Sequence, residues 1–195
     1  MTGAAMEENY KLEKEYKVPV SIFSEAYREF QKKFVYPKNR IFVILFAFMA
    51  VVVLCIGVLN VKGTSDTGKY LYYLAFMVFV ALAAREWYNP RKLHRNLTES
   101  VRALGEPVYK IGVSEKYVDI STVSEDLSDI PDEEKEEVLK DDPLPEKTRL
   151  NIDDSFRVME YEKFFMLIPG TAMLYIIPKE GFSEGDMSII RELKK

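Results

Sequence analysis

The chain has 195 residues, 48% hydrophobic and 30% charged, with a net charge of −4 and one cysteine. That length admits a membrane anchor plus one soluble domain of modest size, and a lone cysteine excludes an intrachain disulfide framework. The charge is uneven: Glu125 to Asp142 holds ten acids against Lys135 and Lys140, while basic residues gather beside the apolar segments. That pattern argues against nucleic acid as a general partner.

Residues 1–9 read as a disordered tail. No cleavable signal peptide is expected, because residues 1–40 are charged throughout and the first apolar run starts late and is too long for a signal h-region. From Tyr10 the pattern alternates. Tyr10, Leu12, Tyr16, Val18 and Val20 fall on one face, Lys11, Glu13, Glu15 and Lys17 on the other, with Lys14 the one break. This period of two predicts a strand that ends, or lies on an edge, at Pro19. Phe23, Tyr27, Phe30 and Phe34 then form one stripe of an amphipathic helix, which Ser21 is placed to cap. Such a helix packs on the soluble domain or lies on a bilayer. Residues 10–36 are grouped with the soluble domain.

Ile41 to Val61 is a run of twenty-one uncharged residues, long enough to cross a hydrocarbon core of about 30 Å. Tyr70 to Ala84 adds fifteen more. Fifteen residues reach only about 22 Å as a helix, so the second span is extended to Tyr88 by a snorkelling Arg85 and the interfacial rings of Trp87 and Tyr88. The expectation is a transmembrane hairpin over 41–88, with spans at 41–61 and 70–88, and Pro37 breaking the chain just before it. Ala47, Ala50 and Gly57 share a face that lets the partner helix approach. Arg28, Lys32, Lys33, Lys38 and Arg40 precede the first span; Arg85, Arg91, Lys92 and Arg95 follow the second. The intervening loop has Lys62 and Lys69, offset by Asp66. The positive-inside rule then puts both termini in the cytoplasm of a multi-pass cell-membrane protein. The same basic residues, with Trp87 and Tyr88, form the membrane-interface set and contact anionic lipid.

Pro90 is expected to start a juxtamembrane helix ending near Gly105. Asn96-Leu97-Thr98 is a glycosylation sequon only if it faces a glycosylating lumen, which the charge bias opposes. Residues 106–195 read as a β domain with an acidic insertion at 123–146. Short β-rich runs cover Val108–Val113, Tyr117–Ser121, Thr148–Ile152, Phe156–Tyr161, Phe164–Ile168 and Ala172–Ile177. Asp153-Asp154-Ser155 and Gly170 mark turns. A final helix is signalled by a capping box from Ser183 to Asp186 and by a staple from Phe182 to Met187. Ile189, Ile190 and Leu193 form its buried stripe, and Lys194 and Lys195 complement its C-terminus. One curved antiparallel sheet closed by this helix is the simplest assembly, and the strand at Tyr10–Val20 can join it.

In order and in its ending the chain resembles the YcxB-like family of small bacterial membrane proteins. The specific piece is Phe156-Arg157-Val158-Met159-Glu160-Tyr161, then Phe164-Phe165-Met166-Leu167-Ile168, then Tyr175-Ile176-Ile177-Pro178-Lys179 and Phe182-Ser183. The family often has a tryptophan before the strand that begins here at Ser155, where this chain has Leu150-Asn151-Ile152. The resemblance implies a pleckstrin-homology-like C-terminal domain and no known catalysis. The acidic stretch looks like an insertion relative to the family pattern.

Gly63-Thr64-Ser65-Asp66-Thr67-Gly68-Lys69 fits GxxxxGK, but Tyr70 stands where a phosphate loop needs Ser or Thr, and apolar helices flank it. His94 and Cys55 are single, which suits neither a zinc site nor a nucleophile pair, and Cys55 reads as a small buried residue. The acidic segment lacks calcium-loop spacing; after Pro131, residues Asp132, Glu133, Glu134, Glu136 and Glu137 read as a short solvated helix that can dock a basic partner. No cofactor and no enzymatic activity are expected. The first reading is a membrane-tethered module presenting its β domain to a protein partner; the second is a self-protection protein against a bacteriocin or toxin.

Overall fold

The computed structural model describes residues 10–60, 63, 65–103, 105, 107–124, 147–170 and 173–193. Two compact units form: Met1–Ala26 together with Thr98–Lys195, and Tyr27–Leu97. The first is a β unit, the second a helical hairpin.

The β unit contains β1 (Leu12–Lys17), β2 (Val108–Val113), β3 (Tyr117–Ser124), β4 (Thr148–Asn151), β5 (Phe156–Glu160), β6 (Phe164–Pro169), β7 (Tyr175–Pro178) and a terminal helix, Glu184–Glu192. The early strand does join the sheet: β1 runs antiparallel to β2, with Leu12 opposite Val113 and Lys17 opposite Val108. The single curved sheet is corrected to two, one in the order β1-β2-β3-β4 and one in the order β5-β6-β7. The division falls at the Asp153 turn. The Asp153 carboxylate accepts from the Ser155 N–H at 2.8 Å and its hydroxyl at 2.6 Å, and the Phe156 N–H donates to the Asp153 carbonyl at 3.0 Å. This side-chain turn ends β4 and redirects the chain before β5 can pair with it.

Inward residues of both sheets make one core. Leu12, Ile111, Val113, Val118, Ile120 and Leu150 of the first meet Phe156, Val158, Phe165, Leu167 and Ile177 of the second, with Phe182, Ile190 and Leu193 added by the terminal segment. Lys14, the break in the alternation, shares the inward parity. Its stem lets the ammonium reach Asp186 at 2.8 Å and sit 5.0 Å from the Phe182 ring. Tyr10 is a correction. It precedes β1 and crosses to the outer face, where its ring lies over Gly112; a Cβ there would meet that ring at 2.7 Å.

The terminal helix begins as its sequence signal requires. The Ser183 hydroxyl accepts from the Asp186 N–H at 3.2 Å, and the Asp186 carboxylate accepts from the Ser183 N–H at 2.9 Å. Lys194 and Lys195 lie outside the described residues. Ser183→Ala is expected to cost about 1 kcal/mol, read as faster amide exchange in the first turn of this helix. Unchanged exchange there would remove the cap from the account. Arg191, through Nε and Nη2, and Lys179 hold Glu160 at 3.1, 2.9 and 2.8 Å, keeping its carboxyl down at about 2.

The remaining elements are α1 (Val20–Phe30), a π turn (Gln31–Val35), α2 (Tyr36–Leu59) and α3 (Asp66–Ala103), with the division between the two units falling inside α1, after Ala26, and inside α3, before Thr98. The helical stretches Val20–Leu59 and Asp66–Ala103 are each long and apolar enough to cross a membrane. Two expected breaks do not occur. Pro37 falls at the first positions of α2, just after the π turn, where a missing N–H is tolerated. Pro90 lies inside α3 rather than starting a new helix. Ser21 is likewise inside the first turn of α1, since the Phe23 N–H already donates to the Pro19 carbonyl at 2.9 Å.

Pro90 has no N–H for the Glu86 carbonyl four residues back. The Asn39 side-chain amide donates to that carbonyl at 3.1 Å. Gln31, fully buried, donates to the Pro90 carbonyl at 2.7 Å. Ala50 is buried and Gly57 packs on Tyr72, as the shared face predicts, whereas Ala47 is exposed. Cys55, expected to be buried, is exposed. Two residues short of Gly57, it turns to the outer side of α2. The GxxxxGK match is a helix start: the Ser65 hydroxyl accepts from the Gly68 N–H at 3.4 Å and Lys69 pairs with Asp66 at 2.9 Å.

Candidate functional site

The β unit holds a cavity of about 310 Å³ lined by Tyr16, Tyr109 and Tyr175, by Ser121, Thr122 and Thr148, and by an apolar wall that includes Val18, Phe23 and Val101. Strand pairing assembles it. Tyr16 of β1 faces Tyr109 of β2, with ring centroids 5.8 Å apart, and Tyr109 faces Thr122 of β3. Tyr175 opens β7. Tyr16 is only 8% exposed, and its ring meets Phe182 edge-on at 6.2 Å.

No described residue hydrogen-bonds the Tyr16 hydroxyl. Yet no enclosed side-chain nitrogen or oxygen among the described residues lacks a partner. The hydroxyl therefore reaches open space, and the space that Tyr16 lines is this cavity. Burial, reinforced by Tyr109 and then Tyr175, pushes the Tyr16 phenol above its ordinary value. It is a protonated donor. Tyr16 was legible as an inward residue, but its role was not. The available signal was the choice of tyrosine, not an aliphatic residue, at inward positions of β1 and β2.

A second cluster lies on the outer face of the four-stranded sheet, and sequence reasoning missed it. Asp119, 3% exposed, accepts from the Tyr10 hydroxyl at 2.7 Å, from Arg149 Nε and Nη2 at 2.9 Å each, and pairs with Lys147 at 3.0 Å. The Arg149 guanidinium also stacks 3.9 Å from the Tyr117 ring. Burial by itself raises the Asp119 carboxyl; the hydrogen bonds from Arg149, Tyr10 and Lys147 outweigh it and hold the group below the usual carboxylate range. The signal was a lone acid at an outward position of β3, directly opposite Arg149 of β4. With its donors already engaged, this cluster fastens Tyr10, β3 and β4 together.

The membrane-interface residues are brought together only in part. Arg28, Lys32, Lys33, Lys38, Arg40, Arg85, Trp87, Tyr88, Arg91, Lys92 and Arg95 are all exposed. Arg91 stacks 4.0 Å from the Trp87 ring and donates to the Trp87 carbonyl at 2.6 Å, while Lys32 pairs with Glu29 at 2.6 Å. His94 packs on Tyr27 with ring centroids 5.8 Å apart. Asp132, Glu133, Glu134, Glu136 and Glu137 lie outside the described residues.

Comparison with known proteins found no matching family model, curated protein or solved structure. The likeness to the YcxB-like family rests on the quoted sequence features.

Proposed function

We propose that the protein is a membrane-anchored, non-catalytic binding module whose β unit receives its ligand in the tyrosine-lined cavity. The carrying observation is that cavity, with a phenol that has no hydrogen-bond partner among the described residues, in a unit that has its own core. The anchor follows from the two long apolar helices and from one rung of the sheet. The chain leaves β1 at Lys17 and re-enters β2 at Val108, and these two residues are opposite each other. Both ends of the intervening segment must then lie on one side of a bilayer, which requires an even number of crossings. Two spans satisfy this. Two chain segments, instead of one linker, join the β unit to the apolar helices.

Sheets of four and three antiparallel strands with a terminal helix are compatible with the pleckstrin-homology-like reading. The basic flanks favour a cytoplasmic β unit. The acidic segment 125–142 adds a docking surface for a basic protein partner.

Reporter fusions after residue 195 and within residues 63–68 are expected to give a cytoplasmic C-terminus and an external loop; reporters on opposite sides from these would overturn the orientation. For the binding role, molecules that co-purify with the mildly extracted full-length protein are identified by mass spectrometry. Thr122→Phe, which fills the cavity, is expected to deplete a specific small molecule. An identical set from both proteins would sink the cavity as the receiving site.

A further inference from the structure

Resting on that reading, we infer that the cavity takes an uncharged amphiphile: an apolar body carrying a carbonyl, ester or ether oxygen that accepts a hydrogen bond from Tyr16. Three observations select this class. No charged side chain lines the cavity among the described residues. An anion or cation held there would be desolvated with no counter-charge among the described lining residues, which disfavours it. The polar side chains on the inward face of its lining are hydroxyls only, from three tyrosines and two threonines. The phenol with no hydrogen-bond partner among the described residues is the most buried of these tyrosines, and a hydroxyl that stays protonated is a donor looking for an acceptor. The rest of the wall is aliphatic or aromatic, including Val18, Phe23, Val101, Ile120 and Leu174, and it supplies the non-directional part of the affinity.

The size agrees. About 310 Å³ is at the small end of ligand cavities, suited to one short chain rather than a two-chain lipid. Phe23 and Val101 lie on the two helical stretches that are long and apolar enough to cross a membrane.

The test uses the full-length protein in nanodiscs of zwitterionic lipid. The probe is a ten-carbon monoacylglycerol with a diazirine in its chain, and the control is the matching fatty acid. Illumination is followed by peptide mapping, with unlabelled monodecanoylglycerol as competitor. The ester is expected to label peptides of β2, β3 and β7 competitively, and the carboxylate to label them at least tenfold less. Tyr16→Phe deletes only the hydroxyl and is expected to raise the competitor concentration needed by about three- to tenfold, the worth of one hydrogen bond. Thr122→Phe is expected to abolish the labelling. Amide exchange across β2 and β3 checks that each variant is folded; if Thr122→Phe is not, the Tyr16→Phe and fatty-acid arms still decide. Loading the probe in the bilayer or adding it from water separates the two sources, and labelling by either route supports the class.

Equal labelling by the fatty acid, or an unchanged competitor requirement in Tyr16→Phe, overturns the ligand class. The binding reading then survives if Thr122→Phe still removes a co-purifying molecule. If no probe reaches the cavity and the co-purifying set is also unchanged, both fall together.

Discussion

Asn39→Leu is expected to weaken the hairpin by about 1–2 kcal/mol, and Pro90→Ala to restore most of the loss. The reason is a single orphan carbonyl. Inside a helix the N–H of residue 90 would serve the Glu86 carbonyl, but proline has none, and its ring pushes that carbonyl outward. Asn39 supplies the missing donor at 3.1 Å from the other helix. Leucine keeps the bulk and removes the donor, so Glu86 is left with an unmet acceptor. Alanine at position 90 returns the N–H, and Asn39 then becomes dispensable. The check is a double-mutant cycle on the full-length protein in nanodiscs, read as amide exchange around residues 36–43 and 86–94. Equal costs of Asn39→Leu with Pro90 and with Ala at position 90 would show that the amide does some other job. Gln31 lies beside the same joint, fully buried, and adds a second bond to the Pro90 carbonyl at 2.7 Å. The π turn at Gln31–Val35 offsets the helix register at this joint and gives Pro37 a tolerated position.

The second large effect is expected at Asp119. Removing one partner of a fully buried ion pair costs about 3–5 kcal/mol. Here Lys147 and Arg149 keep 33% and 44% of their side chains exposed and can rehydrate, so about 2 kcal/mol is expected for Asp119→Ala. That corresponds to about thirtyfold faster exchange of amides in β3 and β4. Gly112→Ala tests the same assembly from beneath, since its methyl would enter the Tyr10 ring at 2.7 Å and displace the phenol that donates to Asp119. The pH dependence has a definite sign. The native carboxyl is held below its ordinary value, so its contribution is fully present above the unfolded value of about 4 and is lost as the pH falls through the native value. The difference between wild type and Asp119→Ala should therefore narrow on acidification below about pH 4. A constant difference down to strong acid would mean that packing, not charge, carries the effect.

These two sites separate what is local from what is not. The elements were legible because each is written in one short stretch: alternation at Leu12–Lys17, the uncharged run at Ile41–Val61, the capping box at Ser183 and Asp186. Those signals depend on neighbours two to four residues apart, and a sequence displays such neighbours directly. The amphipathic helix shows the limit. Its aromatic stripe was plain, yet the residues with no exposure are Ala26 and Gln31. A π turn changes which residue faces inward, and nothing in the local pattern announces one.

By itself, then, the sequence determined the chemistry of each segment: two helices apolar enough for a bilayer, a set of short strands, a capped terminal helix and an acidic segment. Only the tertiary structure decided how distant segments meet. Tyr10 finds Asp119 across 109 residues, Asn39 finds Glu86 across 47, and β1 closes a sheet whose other strands all follow the hairpin. The cavity exists only because that closure places Tyr16 beside Tyr109 and near Tyr175. Contacts of this range carry no periodic signature. They form when buried polar groups must find partners and apolar faces must be covered, and both demands are met by the whole fold together.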